Sequence, residues 1–169
     1  MNTFSYFDSP IGRLLLTCDG TALSGLYMEP SRKPQSTDGW VEDGAAGPLA
    51  AAARQLSEYF AGSRREFDIP LSFQGTVFQT RVWRMLGEIP YGATWSYGAL
   101  AKRLDNPGAS RAVGLANGRN PIAIVVPCHR VIGADGSLTG YGGGLQRKRW
   151  LLAHEGSMQH SIHRISVVR

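Results

Sequence analysis

The spacing of apolar residues changes at Gly75 from a strand-like to a mostly helical pattern, and this change limits the possible fold more than any other feature of the sequence. Before it, β-prone runs surround "DG" in DSPIGRLLLTCDGTALSGLYM, a pattern that predicts a hairpin of two strands. A helix over LAAAARQLSEYFAG, ended by Gly62, and a strand over EFDIPLSF should follow. Beyond Gly75 the apolar spacing is mostly helical. The prediction is an α+β chain with a small α/β domain over 1–74, a helical domain over 75–156 and a tail over 157–169.

The helical half begins with one amphipathic helix and continues with two short ones. The first, VFQTRVWRMLGEI, has apolar positions at helical spacing, namely Phe78, Val82, Met85 and Ile89. Ser96 and Ser110 are expected to cap the two short helices, which the turn "DNPG" separates. Such a pair resembles a helix-turn-helix, but helical hairpins are also common in domains that never bind DNA. Both interpretations stay open on this pattern.

Three further elements are predicted after the short helices. PIAIVV is fully apolar and β-prone, which predicts a buried strand whose ladder Pro127 ends just before Cys128. VIGADGSLTGYGGG is typical of a hairpin that runs into a glycine-rich loop. LQRKRWLLAHEG predicts a last helix that Gly156 ends.

The charge is distributed unevenly between the two halves. Residues 1–74 carry 6 Lys+Arg against 9 Asp+Glu, a balance of −3, whereas residues 75–169 carry 12 against 4, a balance of +8. A basic half joined to an acidic half suggests that the C-terminal half binds a polyanion. A solvated basic surface would give the same charge, so both explanations stay open.

Cysteine and histidine usage bounds the compartment and the cofactors. Two cysteines, Cys18 and Cys128, are too few for a disulfide framework and fit a reducing compartment. No pairing of cysteine and histidine has the spacing of a zinc site, so we expect no metal and no other cofactor. The N-terminus lacks a signal sequence and no apolar run approaches bilayer length, so we expect a cytoplasmic protein with no membrane partner.

Cys128 and His129 in "PCHRVIG" raise the question of a reactive thiol. A thiol reacts as its thiolate, so it needs a nearby base and a third group that orients the base. Neighbouring side chains of an extended chain point to opposite faces, so His129 can assist Cys128 only through a turn or a bridging water. Glu155 is the best orienting candidate and Glu88 the alternative. A buried cysteine beside a hydrogen-bonded histidine remains the other interpretation.

The helix predicted after Ser110 is rich in small residues. Ala112, Gly114, Ala116 and Gly118 follow each other at alternate positions, and a glycine inside a helix costs about 1 kcal/mol relative to alanine. A strand or a DNA backbone that approaches this helix closely should compensate for the cost. Either the helix packs tightly on a neighbouring strand, or it enters a DNA groove with Arg111 at its leading end.

Five motifs in order and spacing give the sequence a specific resemblance. "SYGALA", "SRAVGLANGRNP", "PCHRVIG", "GYGGG" and "RKRWLLAHEG" closely resemble the O6-alkylguanine-DNA alkyltransferases, the methylated-DNA protein-cysteine methyltransferases. The match runs from about Phe78 to Gly156, while "SPIG" and "YFAG" extend it more loosely to the N-terminal half. The resemblance implies a ribonuclease H-like N-terminal domain and a winged helix-turn-helix-like domain that holds the DNA-binding and active sites. It also implies a monomer that acts on double-stranded DNA containing O6-alkylguanine.

The resemblance implies catalytic roles for five residues. Cys128 is similar to the alkyl acceptor, and His129 to the base that activates it through a bound water. Glu155 would orient His129, and Asn120 would brace the turn before the reactive strand. Tyr97 resembles the tyrosine beside the target phosphate, which helps to rotate the nucleotide and donates toward the departing base.

The same resemblance implies the DNA-binding and base-binding residues. Arg111 is similar to the finger that fills the space left by the flipped-out guanine. Tyr141, with the backbone around Val131 and Gly142, resembles the base pocket. Gly142 departs from relatives that carry a hydroxyl residue there, so only its backbone N–H can polarise the O6 atom. The predicted DNA-binding set comprises Tyr97, Arg111, Ala112, Gly114, Ala116 and Arg130.

Two other functions stay open. A non-catalytic lesion-binding or regulatory module would use the same helices, but the relatives of that kind have lost the acceptor cysteine. A cysteine hydrolase would need an oxyanion hole and would leave the basic half unexplained. The activity that the resemblance implies is direct reversal of DNA damage, with one irreversible transfer of the alkyl group to Cys128.

Overall fold

The computed structural model describes residues 1–31 and 34–157 and divides into two compact units. The first comprises Met1–Gly75 together with Pro121–Val125, and the second comprises Thr76–Asn120 and the chain from Val126 onward. The predicted tail, 157–169, lies almost entirely outside the described residues.

The first unit contains a four-stranded sheet in the order β3-β2-β1-β4. Its strands are β1 (Thr3–Ser9), β2 (Gly12–Cys18), β3 (Leu23–Met28) and β4 (Val41–Glu42). β2 pairs with both β1 and β3 in antiparallel register, and β4 pairs with β1 in parallel. The predicted β2–β3 hairpin is confirmed, with Gly20 at a φ of +107° in its turn, a conformation that favours glycine. β1 was not predicted.

Helix α1 (Gly47–Phe60) forms over the predicted segment and packs against strands β1, β2 and β3. Leu49, Ala52, Leu56 and Tyr59 of α1 are fully buried. The strand predicted over EFDIPLSF is wrong. Only Leu71 pairs there, as an isolated bridge to Leu23, because Pro70 offers its carbonyl to Leu23 N but has no N–H to extend a ladder.

The strand predicted over PIAIVV is also wrong, although its burial is right. Ile122 makes one bridge to Leu26 of β3, and Ile124 has a φ of +71°, which an extended ladder cannot include. Ile122, Ile124 and Val126 are all buried. The apolar run therefore encodes burial rather than strand pairing.

In its described residues, which end at position 157, the second unit contains four α-helices and a small sheet. The helices are α2 (Val77–Leu86), α3 (Tyr97–Arg103), α4 (Ser110–Gly118) and α5 (Leu145–His154), and the strands β5 (Trp95–Ser96) and β6 (Val131–Ile132) pair in parallel. A capping box between Thr76 and Gln79 begins α2. Val82 and Ile89 are buried as predicted, but Trp83 and Leu86 complete the buried face, while Phe78 and Met85 are only half-buried.

Helices α3 and α4 form the predicted pair. The Ser96 hydroxyl accepts a hydrogen bond from Ala99 N at 3.0 Å and so caps α3 as predicted. Ser110 is the first residue of α4 rather than its cap, because Ala109 occupies the N-cap position. The predicted hairpin after β6 is wrong. Gly133 and Ser137 close a tight turn, with Gly133 N donating to Ser137 O at 2.8 Å, and β6 pairs with β5 instead.

Candidate active site

Cys128 lies in a single 3-10 turn, Cys128–Arg130, rather than at the end of a strand. Cys128 N donates to Val126 O at 2.8 Å and Arg130 N donates to Pro127 O at 3.0 Å. Asn120 braces the segment from outside, with its Nδ2 donating to Val126 O at 2.8 Å. Because the chain turns here, Cys128 and His129 are not held on opposite faces as they would be in an extended strand.

Three charged or titratable side chains form a buried group, which we call the Glu155 cluster: His129, Arg130 and Glu155. His129 Nε2 and Glu155 Oε2 are 2.8 Å apart, and Arg130 Nε and Nη2 donate to the two Glu155 oxygens at 2.7 and 3.0 Å. Arg130 Nη1 donates to Ile89 O at 2.7 Å. The forked geometry neutralises the carboxylate and fixes its orientation toward the histidine.

The cluster sets the protonation of its members. Burial would raise the pKa of Glu155, but the hydrogen bonds and charges of His129 and Arg130 prevail and lower it to about 2. Glu155 is therefore ionised and accepts the proton of His129 Nε2. Burial lowers the pKa of His129 below its ordinary value, against the opposing effect of Glu155, so the imidazole is neutral. With the proton on Nε2, Nδ1 is the basic nitrogen.

His129 Nδ1 is buried and has no hydrogen-bond partner among residues 1–31 and 34–157. Cys128 is only 6% exposed, and burial raises the pKa of its thiol above the ordinary value, although Asn120 and Lys148 oppose this rise. The thiol is thus protonated at rest. A reaction at this sulfur requires a base, and His129 Nδ1 is a basic atom on the adjacent residue.

The sequence proposed Glu155 and Glu88 as orienting groups, and the structure brings only Glu155 to the histidine. Glu88 lies just after α2 with an exposed side chain. The sequence could not decide between them because the Glu155–His129 contact spans 26 positions.

Two of the predicted DNA-binding residues are not available to DNA. Arg130 is buried and its guanidinium is engaged by Glu155 and Ile89 O, so we correct its assignment from DNA contact to the Glu155 cluster. Ala116 is also buried, and its carbonyl accepts a hydrogen bond from Trp83 Nε1 at 2.9 Å. Ala116 lies on the inner side of α4, so it cannot contact a DNA groove.

The opposite side of α4 is exposed and consists of Arg111, Ala112 and Leu115; we call this the outer face of α4. Leu115 is 65% exposed, which the sequence analysis did not single out. A Cβ at Gly114 would make only ordinary contact with the Tyr97 ring at 3.6 Å, and one at Gly118 would meet no described atom within 4 Å. Tight packing within the described part of the chain therefore does not account for these glycines.

Tyr97, predicted beside the target phosphate, and Tyr141, predicted in the base pocket, differ in character. Tyr97 Oη donates to Thr139 O at a long 3.4 Å. The Tyr141 hydroxyl is buried, and its pKa is raised by burial first and then by the charge of the nearby Cys128 thiolate. It makes no hydrogen bond of acceptable geometry with any described residue. At Gly142 an added Cβ would meet none of the described atoms within 4 Å, so the space beside its backbone is open.

Two polar residues near Cys128 were missed by the sequence analysis. Asn117 is buried on α4, with Nδ2 3.5 Å from Cys128 O. Lys148 is fully buried on α5 and donates to Val131 O and Thr139 O. A signal for Lys148 existed, since Lys148, Leu151, Leu152 and Glu155 follow the spacing of one helix face.

No group of three or more His, Cys, Asp or Glu side chains in the described ranges could hold a metal ion. None of the helices described is long and apolar enough to cross a membrane.

Comparison with known proteins accounts for both halves of the chain. Residues 2–73 match the ribonuclease-like domain of 6-O-methylguanine DNA methyltransferase, and residues 77–157 match its DNA binding domain. The chain is 58% identical over 148 residues, 88% of each chain, to the methylated-DNA–protein-cysteine methyltransferase of Mycolicibacterium paratuberculosis. It is 53% identical over 155 residues to that of Methanosarcina acetivorans, with 91% of this chain and 98% of the relative covered.

A solved structure is similar at the level of the fold as well. The Mycobacterium tuberculosis OGT in complex with DNA superposes with a TM-score of 0.85 at 54% identity, over 92% of this chain and 93% of that one. Matches of this identity, over both halves and nearly the whole length of the relatives, show that the chain belongs to the 6-O-methylguanine DNA methyltransferase family.

Proposed function

We propose that this protein repairs DNA by direct reversal, moving the alkyl group from the O6 atom of a guanine in duplex DNA to the sulfur of Cys128. The observation that carries the proposal is the hydrogen bond between Glu155 and His129 Nε2, which makes Nδ1 the basic nitrogen on the residue next to a buried thiol. The names of the relatives, methylated-DNA–protein-cysteine methyltransferases, support the same chemistry.

The transfer is a displacement at carbon. His129 Nδ1 takes the thiol proton through a bound water, and Glu155 stabilises the imidazolium that forms. The thiolate of Cys128 attacks the alkyl carbon, the carbon–O6 bond breaks, and its electron pair goes to the guanine. Tyr97 donates a proton to the departing base and is reprotonated from solvent, which also takes up the proton of the imidazolium, and the Gly142 N–H polarises O6. The products are an unmodified guanine and a thioether.

A guanine inside a duplex cannot reach a buried sulfur. Chemistry on a base requires extrusion from the stack, which costs a few kcal/mol and least for a damaged pair. We assign this step to the outer face of α4, with Arg111 filling the gap in the stack and Ala112 allowing close approach to a groove. Tyr141 and the backbone of Val131 and Gly142 receive the base.

The reaction should occur once in each chain. An unactivated thioether does not hydrolyse, and neither a hydrolytic group nor a cofactor is part of the proposed mechanism. The protein is therefore both catalyst and substrate. We place it in the cytoplasm, where the reducing conditions keep Cys18 and Cys128 as free thiols, the state in which the structure has them.

Mass spectrometry of the reacted protein tests the proposal. Excess duplex containing O6-methylguanine is incubated with a known amount of protein, and we expect one methyl group per chain, on the peptide that contains Cys128. Cys128→Ser should transfer nothing, whereas Cys18→Ser, the matched change in β2, should react normally.

Two results would contradict the proposal. Repair well above one lesion per chain would show turnover and favour hydrolysis. Binding of the lesion duplex without any methylated peptide would favour the non-catalytic lesion-binding function instead.

A further inference from the structure

The chain between α2 and β5 turns against the Glu155 cluster, and we call its residues 89–92 the α2 corner. In a continued helix Ala93 N would donate to Ile89 O, but here it donates to Pro90 O at 3.0 Å. Proline disfavours helical geometry in the residue before it, so α2 cannot continue through Ile89. The carbonyl group of Ile89 is therefore available to a side-chain donor, although Ile89 itself is buried.

The corner contacts the arginine of the cluster in two ways. Arg130 Nη1 donates to Ile89 O at 2.7 Å, which satisfies the one guanidinium nitrogen that does not donate to Glu155. The guanidinium carbon of Arg130 lies 5.7 Å from the centre of the Tyr91 ring, within the range of about 6 Å in which a cation is attracted to an aromatic face. A carbonyl group and a ring thus hold the arginine from outside the ion pair.

The corner also contacts the residue that carries the carboxylate and its neighbour. Tyr91 Oη donates to the carbonyl group of His154, the last residue of α5, at a long 3.4 Å. Gly92 has a φ of +85°, and a Cβ added there would lie 3.3 Å from Glu155 O. That distance is shorter than an ordinary van der Waals contact, so the absence of a side chain lets the corner lie this close to the backbone of Glu155.

Arg130 and Glu155 come from separate elements, so their ion pair requires that both be held in place. Arg130 belongs to the 3-10 turn, and Glu155 follows α5, 25 positions later. A buried ion pair is favourable only where its geometry is good, since both charges have lost their water. The α2 corner is a third element that contacts both members of the pair, the arginine at its guanidinium and the glutamate at its backbone.

We propose that Tyr91 and Gly92 of the α2 corner are positioning residues for the alkyl transfer, which hold Arg130 and the backbone of Glu155 so that the carboxylate stays aligned with His129 Nε2. They act through the cluster rather than on the reacting atoms. The inference rests on the proposed function, because His129 serves as a base only in that reaction.

A displaced Arg130 would change the protonation of the cluster. Burial favours the neutral form of Glu155, but the hydrogen bonds and charges of His129 and Arg130 overcome this effect and hold its pKa at about 2. With a weaker Arg130 contact, the carboxylate accepts the His129 proton less well, and the proton is no longer confined to Nε2. Nδ1 would then lose part of its role as the basic nitrogen.

Two glycines with nearly the same φ separate positioning from backbone strain. Gly92 has a φ of +85°, and Gly62, just after α1, has a φ of +84°. Alanine is strained by a positive φ at both positions, but at Gly62 the new Cβ would meet no described atom within 4 Å. Gly62→Ala is therefore the matched control for Gly92→Ala, in which the Cβ presses on Glu155 O.

A second pair of variants tests the ring contact. Tyr91→Phe keeps the ring beside Arg130 and loses only the hydroxyl group, whereas Tyr91→Leu removes the ring. We expect Gly92→Ala and Tyr91→Leu to slow single-turnover transfer from free O6-benzylguanine about tenfold, below the roughly 100-fold that a misplacement of about 1 Å can cost. Gly62→Ala and Tyr91→Phe should react at the rate of the parent protein. The proposal requires both differences, so equal rates within either pair overturn it.

Nitrogen NMR of the histidine ring gives a readout that needs no reaction. In protein with isotope-labelled histidine, the shifts of the two ring nitrogens of His129 show which nitrogen carries the proton, and His129→Gln assigns the signals. We expect the parent, Gly62→Ala and Tyr91→Phe to hold the proton on Nε2, and Gly92→Ala and Tyr91→Leu to show shifts between those of the two tautomers. Parent-like shifts in Gly92→Ala would overturn the proposal even where its transfer is slow.

The two measurements also separate this proposal from the proposed function. If the parent does not react with O6-benzylguanine, the proposed function is contradicted, and the nitrogen shifts alone decide the role of the corner. If Gly92→Ala does not fold while Gly62→Ala does, the Tyr91 pair decides, because Tyr91→Leu changes a side chain that is only half-buried.

Discussion

The Glu155 cluster and the outer face of α4 belong to the same unit but are built in opposite ways. In the cluster, every nitrogen of the Arg130 guanidinium donates a hydrogen bond, and the charges are buried. On the outer face, Arg111 and Leu115 are exposed. The difference follows from what each must do. A catalytic group is held in place before the substrate arrives, whereas a surface for a duplex gains its contacts only on binding.

The comparison predicts that damage to the cluster affects chemistry on any substrate, and this is the largest effect we expect. Glu155→Gln should slow transfer from free O6-benzylguanine on the order of 100-fold, the lower end of what general-base catalysis contributes. The reason is that Glu155 raises the pKa of His129, so its loss leaves a weaker and less well oriented base.

Single-turnover kinetics measure this rate, and Glu88→Gln, at the exposed alternative, is the control. Glu155→Gln should also lower the stability of the protein, since Arg130 then keeps a buried charge without its carboxylate partner. A transfer rate equal to that of the parent would assign the orienting role to another group.

Damage to the outer face should affect duplex repair alone. Arg111→Ala is expected to slow repair of a lesion duplex about tenfold, because the arginine supports an extruded state that costs a few kcal/mol. Transfer from free O6-benzylguanine should change less than twofold, since no extrusion is needed there. Arg54→Ala, at an exposed arginine of α1, is the control. Equal losses on both substrates would erase the distinction between the two regions.

Phosphate contacts around the outer face should produce the smallest effect. DNA affinity should fall steeply with salt, and Arg119→Gln, just after α4, should reduce the slope of log affinity against log salt by about one. Fluorescence anisotropy over a range of salt concentrations measures the slope, with Arg54→Gln as the control. A slope that does not change would remove Arg119 from the phosphate-binding surface, and affinity that is independent of salt would contradict a phosphate-binding role for the basic half.

The sequence predicted the helices better than the strands, for a physical reason. The apolar spacing in α1 and α5 and the glycines that end them are local signals, and the structure has both helices at the predicted positions. Strand pairing depends on partners elsewhere in the chain. PIAIVV is apolar enough for a ladder, yet only Ile122 finds a bridge, and the positive φ of Ile124 turns the chain away.

The residues that the sequence analysis missed or misassigned share one cause. The sequence alone does not indicate whether a charged side chain is buried. Arg130 was interpreted as a DNA-binding surface charge, and Lys148, between Arg147 and Arg149, was overlooked. Their partners lie far along the chain: Ile89 is 41 positions from Arg130, and Val131 is 17 positions from Lys148. No local pattern indicates such a contact.

By itself the sequence determined the order of the motifs, the resemblance to a family, the helical periodicity of the second half and its excess of basic residues. These features need only composition and local spacing. The tertiary structure alone decided that Cys128 stands in a 3-10 turn, that Arg130 neutralises Glu155, and that the buried Lys148 donates to Val131 O. Burial and charge pairing depend on the whole folded chain, because the cost of removing a charge from water is offset only by partners that folding brings together.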